Sequence, residues 1–268
     1  MSDTSKDKLI EKVQANRKYA RINQDLVQRL VVEVVEKGLS GRTAVKAVRN
    51  KLHQVGGAYF NQNIDYSDLE NALSGLPVDF HSDEIFQFCR ESMRMHASTS
   101  ERLPILEDFF RTCLEPIAPV SSILDLACGL NPLALPWMPL ADDCVYHACD
   151  IYEDMLDFIR RFFDYFSLKG MVFPCDLIAH IPQKQVQVAF ILKSIPCLEQ
   201  MDKTIGLRLL DAVKAEHILI SFPVRSLGGK QKGMLDFYAQ HFSEMIANTP
   251  WKVKEFSFST ELAYLVSK

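Results

Sequence analysis

The chain of 268 residues contains no run of 18 or more apolar residues, which argues against a membrane-spanning helix. It opens on MSDTSKDKLIEK, polar and charged, so no secretory signal is expected. None of the seven cysteines (89, 113, 128, 144, 149, 175 and 197) forms a CxxC pair or a Cys/His set with zinc spacing. They read as buried thiols of a reducing cytoplasm, and no metal site is expected. Internal repeats and low-complexity tracts are missing, and so is the GxGxxG fingerprint, which disfavours a dinucleotide fold. Between Lys37 and Ile64 there is no acid at all.

That last absence gives the net charge of −4 an uneven distribution. Residues 1–60 hold twelve Lys and Arg against six Asp and Glu. Arg42, Lys46 and Arg49 recur at i, i+4 and i+7, on one helical face, with Lys51 and His53 following. Val45, Val48 and Leu52 form a separate apolar stripe. A basic face without compensating acids points to a polyanion as partner.

With 48% hydrophobic residues, the chain can bury one large core or two smaller ones. Residues up to 115 read as helices near 5–19, 23–37, 41–55, 65–75, 82–97 and 101–115, with turn signals between them. In His96–Leu103, Ser98 or Thr99 is expected to cap the last of these, placing Arg102 in its first turn. A cation is disfavoured there by the helix dipole, so an anion to meet it is expected. After Pro116 and Pro119 strands and helices alternate: strands near 121–127, 144–150, 171–175, 186–193, 216–222, 251–258 and 261–267, helices near 132–139, 153–168, 200–214 and 231–247. Such alternation predicts an α/β, doubly wound, mostly parallel sheet. Only Ser259 and Thr260 separate the last two strands, so these form an antiparallel hairpin at one edge. Seven strands ending in a reversed pair is the Rossmann-like arrangement of class I methyltransferases.

The organising stretch is Ser121–Pro136, SSILDLACGLNPLALP. A buried strand, a small-residue turn and a helix start form the nucleotide-binding corner of an open sheet. With a single glycine four positions after Asp125, the corner suits a nucleoside without phosphates, such as S-adenosylmethionine. Asp150 ends the second strand, where a carboxylate can accept both ribose hydroxyls. Asp176 ends the third, where one can take an adenine amino group. With Asp125, three acids thus lie at one edge of the sheet.

On the blocks KLHQVGGAY (51–59), HASTSERL (96–103), SILDLACGLNPLAL (122–135), ILKSIPCLE (191–199), SFPVRSLGGKQKGM (221–234) and TELAYLV (260–266), the chain resembles the bacterial aminoglycoside-resistance 16S ribosomal RNA guanine-N7 methyltransferases, the Arm/Rmt group. The resemblance implies a helical rRNA-docking domain over 1–115 and a class I methyltransferase domain over 116–268. It implies methylation of guanine 1405 in the decoding A site of 16S rRNA within the 30S subunit, with aminoglycoside resistance as the result. Carried over by position, Arg102 holds the methionine carboxylate of the cofactor, Ala127 and Gly129 line it, and Asp150 with Ile151 binds its ribose. Asp176 and Leu177 surround adenine. Lys193 and Glu199 sit beside the methyl donor or target base, so that catalysis falls to Lys193, Glu199 and Arg102. Arg225, Lys230, Lys232 and Met234 belong to a loop that meets the flipped guanine, and Arg42, Lys46, Arg49, Lys51 and His53 are expected to hold rRNA. At Leu235 the chain departs from the group, which usually has Glu after KGM.

Guanine N7 carries an unprotonated lone pair, so transfer needs alignment rather than a general base. Consistently, the fourth strand ends in Lys193-Ser194-Ile195-Pro196, unlike the Asn/Asp-Pro-Pro-aromatic motif of amino-group methyltransferases, and Cys197 reads as a packing residue. Flipping the base out of its duplex costs a few kcal/mol. The expected protein is a cytoplasmic monomer acting on 30S particles, with no membrane and no DNA partner. The alternatives are another 16S rRNA target, such as adenine N1, and a non-catalytic 30S-binding protein.

Overall fold

The computed structural model describes residues 3–57, 64–224 and 233–268. Among them, the helical half comprises α1 (Asp3–Gln14), α2 (Gln24–Glu36), α3 (Gly41–Leu52), α4 (Tyr66–Ser74), α5 (Asp83–Met93), α6 (Ala97–Arg102) and α7 (Leu106–Leu114). The second half runs β1 (Val120–Leu126), β2 (Leu140–Asp150), α8 (Glu153–Tyr165), β3 (Lys169–Pro174), β4 (Val186–Leu192), α9 (Ile195–Leu198), α10 (Ile205–Ala212), β5 (Ala215–Pro223), α11 (Met234–Ile246), β6 (Lys252–Ser257) and β7 (Glu261–Ser267). The seven strands form one sheet in the order β3-β2-β1-β4-β5-β7-β6. β1 to β5 are parallel, and β7 runs antiparallel between β5 and β6. This is the expected class I arrangement, and its order reverses beside β1, where open α/β sheets place their ligands.

Local chemistry explains where elements differ from their expected limits. The first predicted helix stops at Gln14, and Asn16 accepts the Lys18 N–H to start a separate 3-10 turn. The predicted helix after β1 is a 3-10 helix, Asn131–Trp137, because Pro136 has no N–H for an α-helical ladder. The predicted helix 200–214 is shortened to α10, since Asp202 accepts both the N–H and the hydroxyl of Thr204 and closes a turn before it; the short α9 precedes that turn. α5 ends at Met93, and the residue capping α6 is His96 rather than Ser98 or Thr99. Thr99 instead donates its hydroxyl to the carbonyls of Met93 and His96.

Both faces of the sheet are covered. One buries Ile123, Val188 and Phe190 against α5, α7 and α8, with Phe110 meeting Phe190 at 6.1 Å. The other buries Leu124, Ile191 and Ile220 against α9, α10 and α11. The first cluster continues through α1 to α4, so the core runs unbroken across residue 115. Each fully buried Leu or Phe in it contributes roughly 1.5–3 kcal/mol. Strand alternation puts Asp125 on the Ile123 face, beneath the mouth of the sheet.

Hydrogen bonds also tie the helical half to the end of β2. Asn23 caps α2 through Leu26 N–H (3.1 Å), while its own N–H donates to Ile151 O (2.8 Å). Glu153 N–H donates to Arg21 O (2.8 Å). α2 therefore starts against the residue that follows Asp150. No described helix is long and apolar enough to cross a membrane.

Candidate active site

The carboxyl ends of β1, β2 and β4 and the turn after β3 surround a crevice of about 830 Å³, including the part open to solvent. Ala127, Asp150, Ile151, Asp176, Leu177 and Lys193, all expected at the site, line it together with Arg102. The helical half adds Leu26 of α2, Val55 and Gly56, and His96 with Ser98. Gly129 stands behind this lining and donates its N–H to Asp150 Oδ2 (2.9 Å). Its φ of +53° and a place for Cβ only 2.7 Å from His96 Cε1 leave room for glycine alone.

Asp150 also accepts the N–H of Ile151 (2.6 Å) and Tyr152 (3.4 Å) through Oδ1. Burial raises its pKa, opposed by these three backbone donors. Oδ2 keeps free acceptor capacity at the crevice. Asp176 is held differently: Arg29 of α2 grips it with Nε on Oδ2 (2.6 Å) and Nη2 on Oδ1 (3.2 Å).

Arg102 is the last residue of α6, not in the first turn of a helix, so the dipole favours its charge there. It is 1% exposed. The anion it meets within the protein is Glu261 of β7, with Nε–Oε1 at 2.8 Å and Nη2–Oε2 at 3.0 Å. Nη1 donates to Asn131 Oδ1 (2.8 Å), and the Phe109 ring lies 4.7 Å from the guanidinium carbon. Asn131 passes the network on to Asp125 Oδ2 (2.8 Å), which also accepts the Tyr146 hydroxyl (2.6 Å). Asp125 supports the site from below rather than lining it, and burial pushes its carboxyl up to about 7. His96 is driven down to about 3 by burial and by the charges of Lys193 and Arg102, so it is a neutral imidazole.

The other two expected catalytic residues differ in position: Lys193 is in the crevice lining and Glu199 is not. Lys193 lines the crevice in a left-handed conformation, φ +57°. Its ammonium turns to Ser98 O (2.5 Å) and Glu101 Oε2 (3.0 Å), with Glu261 Oε1 at 3.4 Å. These contacts hold the ammonium at the wall of the crevice. Glu199 is outside the crevice lining; both its oxygens face His241 Nε2, at 3.0 and 2.9 Å.

The residues of the basic face differ in their surroundings. Arg42 and Lys46 are exposed. Arg49 bends onto α1 and donates to the carbonyls of Lys12 (2.5 Å) and Val13. Lys51 pairs with Glu33 at 2.5 Å, and the same carboxylate serves Lys37 at 3.1 Å. A single acid of α2 thus neutralises part of the stretch whose own sequence has none. His53 is exposed, with Lys18 Nζ 3.1 Å from its Nδ1. Met234 opens α11, whereas Arg225, Lys230 and Lys232 lie outside the described residues.

Sequence reasoning missed Arg29, Glu261 and His96. Glu261 had a usable signal: a lone acid opening the apolar run Leu262-Ala263-Tyr264-Leu265-Val266, where an unpaired charge is costly. Arg29 had none, since its partner is 147 residues away.

A family model described as "Ribosomal RNA methyltransferase (FmrO)" matches residues 15–265. The 16S rRNA (guanine(1405)-N(7))-methyltransferase of Micromonospora rosea is 30% identical over 264 residues, covering 98% of this chain and 96% of the relative. That of Serratia marcescens is 30% identical over 260 residues, covering 95% of each. The crystal structure of the 16S rRNA methyltransferase RmtF in complex with S-adenosyl-L-homocysteine superposes with a TM-score of 0.83 at 27% identity, over the full length of both chains. The 16S rRNA methylase RmtB gives 0.81 at 25% identity, again over both full lengths.

Proposed function

From the premise that the chain belongs to the FmrO family of ribosomal RNA methyltransferases, we propose that it methylates N7 of guanine 1405 in 16S rRNA, using S-adenosylmethionine. The observation that carries this reading is the crevice itself, where a buried guanidinium and two carboxylates converge at successive strand ends. Arg102 suits the methionine carboxylate, Asp150 the ribose hydroxyls, and Asp176 with Leu177 the adenine. When bound, S-adenosylmethionine supplies a methyl group on a sulfonium centre.

The residues present fit that chemistry. Guanine N7 gives up no proton on methylation, so the chain needs no general base. The acids at the crevice are held by the chain's own donors: Asp150 by three backbone N–H groups, Asp176 by Arg29. His96, neutral, adds no positive charge to those of Arg102 and Lys193 at the crevice. What the protein provides is alignment in a largely buried crevice.

In this reading residues 1–115 dock the ribosomal RNA and residues 116–268 transfer the methyl group. Arg42 and Lys46, exposed and adjacent on α3, carry the phosphate contacts, and Met234 with Arg225, Lys230 and Lys232 meets the flipped base. The substrate is the 30S particle, the enzyme a cytoplasmic monomer, and the outcome aminoglycoside resistance. The test is primer extension on 30S subunits incubated with protein and S-adenosylmethionine, after borohydride–aniline cleavage at N7-methylguanine. A stop at guanine 1405 that disappears in Asp150→Ala is the expected result. Methyl incorporation without that stop moves the target elsewhere; no incorporation with 30S binding intact makes the protein a non-catalytic binder.

A further inference from the structure

Glu261 is fully buried at the start of β7. Burying a carboxylate is unfavourable unless every oxygen finds a donor, and here each does. Oε1 accepts Arg102 Nε at 2.8 Å and stands 3.4 Å from Lys193 Nζ. Oε2 accepts Arg102 Nη2 at 3.0 Å and the Ser221 hydroxyl at 2.8 Å. Arg102 and Lys193 line the crevice; Glu261 does not.

This fork fixes one side of the guanidinium, Asn131 holds Nη1 and Phe109 covers a face. Of five N–H groups, three are engaged, leaving one on each terminal nitrogen. An arginine without such a frame has a long flexible stem and must be ordered when a ligand arrives, which weakens binding. We propose that Glu261 is a positioning residue for the cofactor's carboxylate: it orients Arg102 so that its two remaining N–H groups serve that carboxylate, and ties Lys193 to the same frame. The proposal rests on the reading of Arg102 as the carboxylate holder.

Two ligands separate this role from a merely structural one. S-adenosylhomocysteine carries the amino-acid carboxylate; 5′-methylthioadenosine has the same nucleoside and lacks it. Calorimetry on the full chain should show Glu261→Gln binding S-adenosylhomocysteine roughly tenfold more weakly, with 5′-methylthioadenosine unchanged within about twofold. The KM for S-adenosylmethionine on 30S subunits should rise in parallel while kcat stays within about threefold. Glu261→Asp, which keeps the charge, should fall between. Should Glu261→Gln not fold, Ser221→Ala removes one bond to Oε2 and should weaken S-adenosylhomocysteine alone, by about two- to threefold. Equal losses for both ligands, or unchanged or tighter S-adenosylhomocysteine binding, overturn the proposal. Arg102→Lys serves as the reference: selective loss there without selective loss in Glu261→Gln rejects Glu261 alone. Wild-type protein that fails to bind S-adenosylhomocysteine rejects the cofactor reading and this proposal with it.

Discussion

Arg29 of α2 closes on Asp176 after β3 with two hydrogen bonds, of 2.6 and 3.2 Å, so a residue of the helical half holds an acid of the crevice. Because Asp176 is 7% exposed at its side chain and Arg29 28%, water screens the pair only partly. Arg29→Ala should loosen the Asp176 side of the crevice. Affinity for S-adenosylhomocysteine and for 5′-methylthioadenosine should fall together, by roughly three- to tenfold. Calorimetry with the two ligands checks it, and an unchanged affinity for 5′-methylthioadenosine would refute the link.

The basic face makes a different prediction, because its residues have separated into two kinds. Arg42 and Lys46 are exposed, so Arg42→Ala with Lys46→Ala should lower the slope of log affinity for 30S against log salt by about 1.5–2. Arg49 caps the carbonyl end of α1, so Arg49→Ala should leave the slope within error and cost about 1 kcal/mol of stability. Filter binding across a salt series and urea melts measure the two.

Much of this was legible in the sequence, and what was not has a common cause. Parallel strands buried on both faces show as apolar runs, so β1, β4 and β5 stand out, and acids closing such runs mark Asp150 and Asp176. Helical spacing also assigned Arg42, Lys46 and Arg49 to one face. It could not say what that face meets: α1 carbonyls take Arg49, and Glu33, outside the acid-free stretch, takes Lys51. Arg102 was recognisable as a cation seeking an anion, but its partner lies 159 residues on. Periodicity reports on neighbours a few residues apart; pairs made by the sheet's closure leave no such trace.

Gly129 tests the corner after β1. Its φ of +53° and the 2.7 Å that would separate an added Cβ from His96 Cε1 are separate obstacles. Gly129→Ala should lose about 2–3 kcal/mol of stability and most of the affinity for S-adenosylhomocysteine. Adding His96→Ala removes the clash but not the backbone strain, so roughly 1 kcal/mol of the loss should persist in the double variant. Full recovery would mean that the left-handed turn is not under strain.

Asp125 and His96 give stability opposite dependences on pH. Asp125 titrates near 7 when folded, against an ordinary 3.8. Between those values the folded state holds a proton that the unfolded chain has lost, so stability falls as pH rises. His96 titrates near 3 when folded, against 6.5. There the unfolded chain holds the extra proton, and stability rises with pH. The windows overlap from 3.8 to 6.5, and in the wild-type protein the two slopes offset each other. Each variant should expose the slope that remains. Asp125→Asn keeps a carbonyl where Oδ2 accepts Asn131 and Tyr146, and relative to wild type it should gain stability from pH 4.5 to 6.5, by at most about 1.4 kcal/mol per unit. His96→Gln should lose stability relative to wild type over the same range, again by at most about 1.4 kcal/mol per unit. Urea midpoints at four pH values measure both, and difference curves of the same sign would rule out this pair as the source.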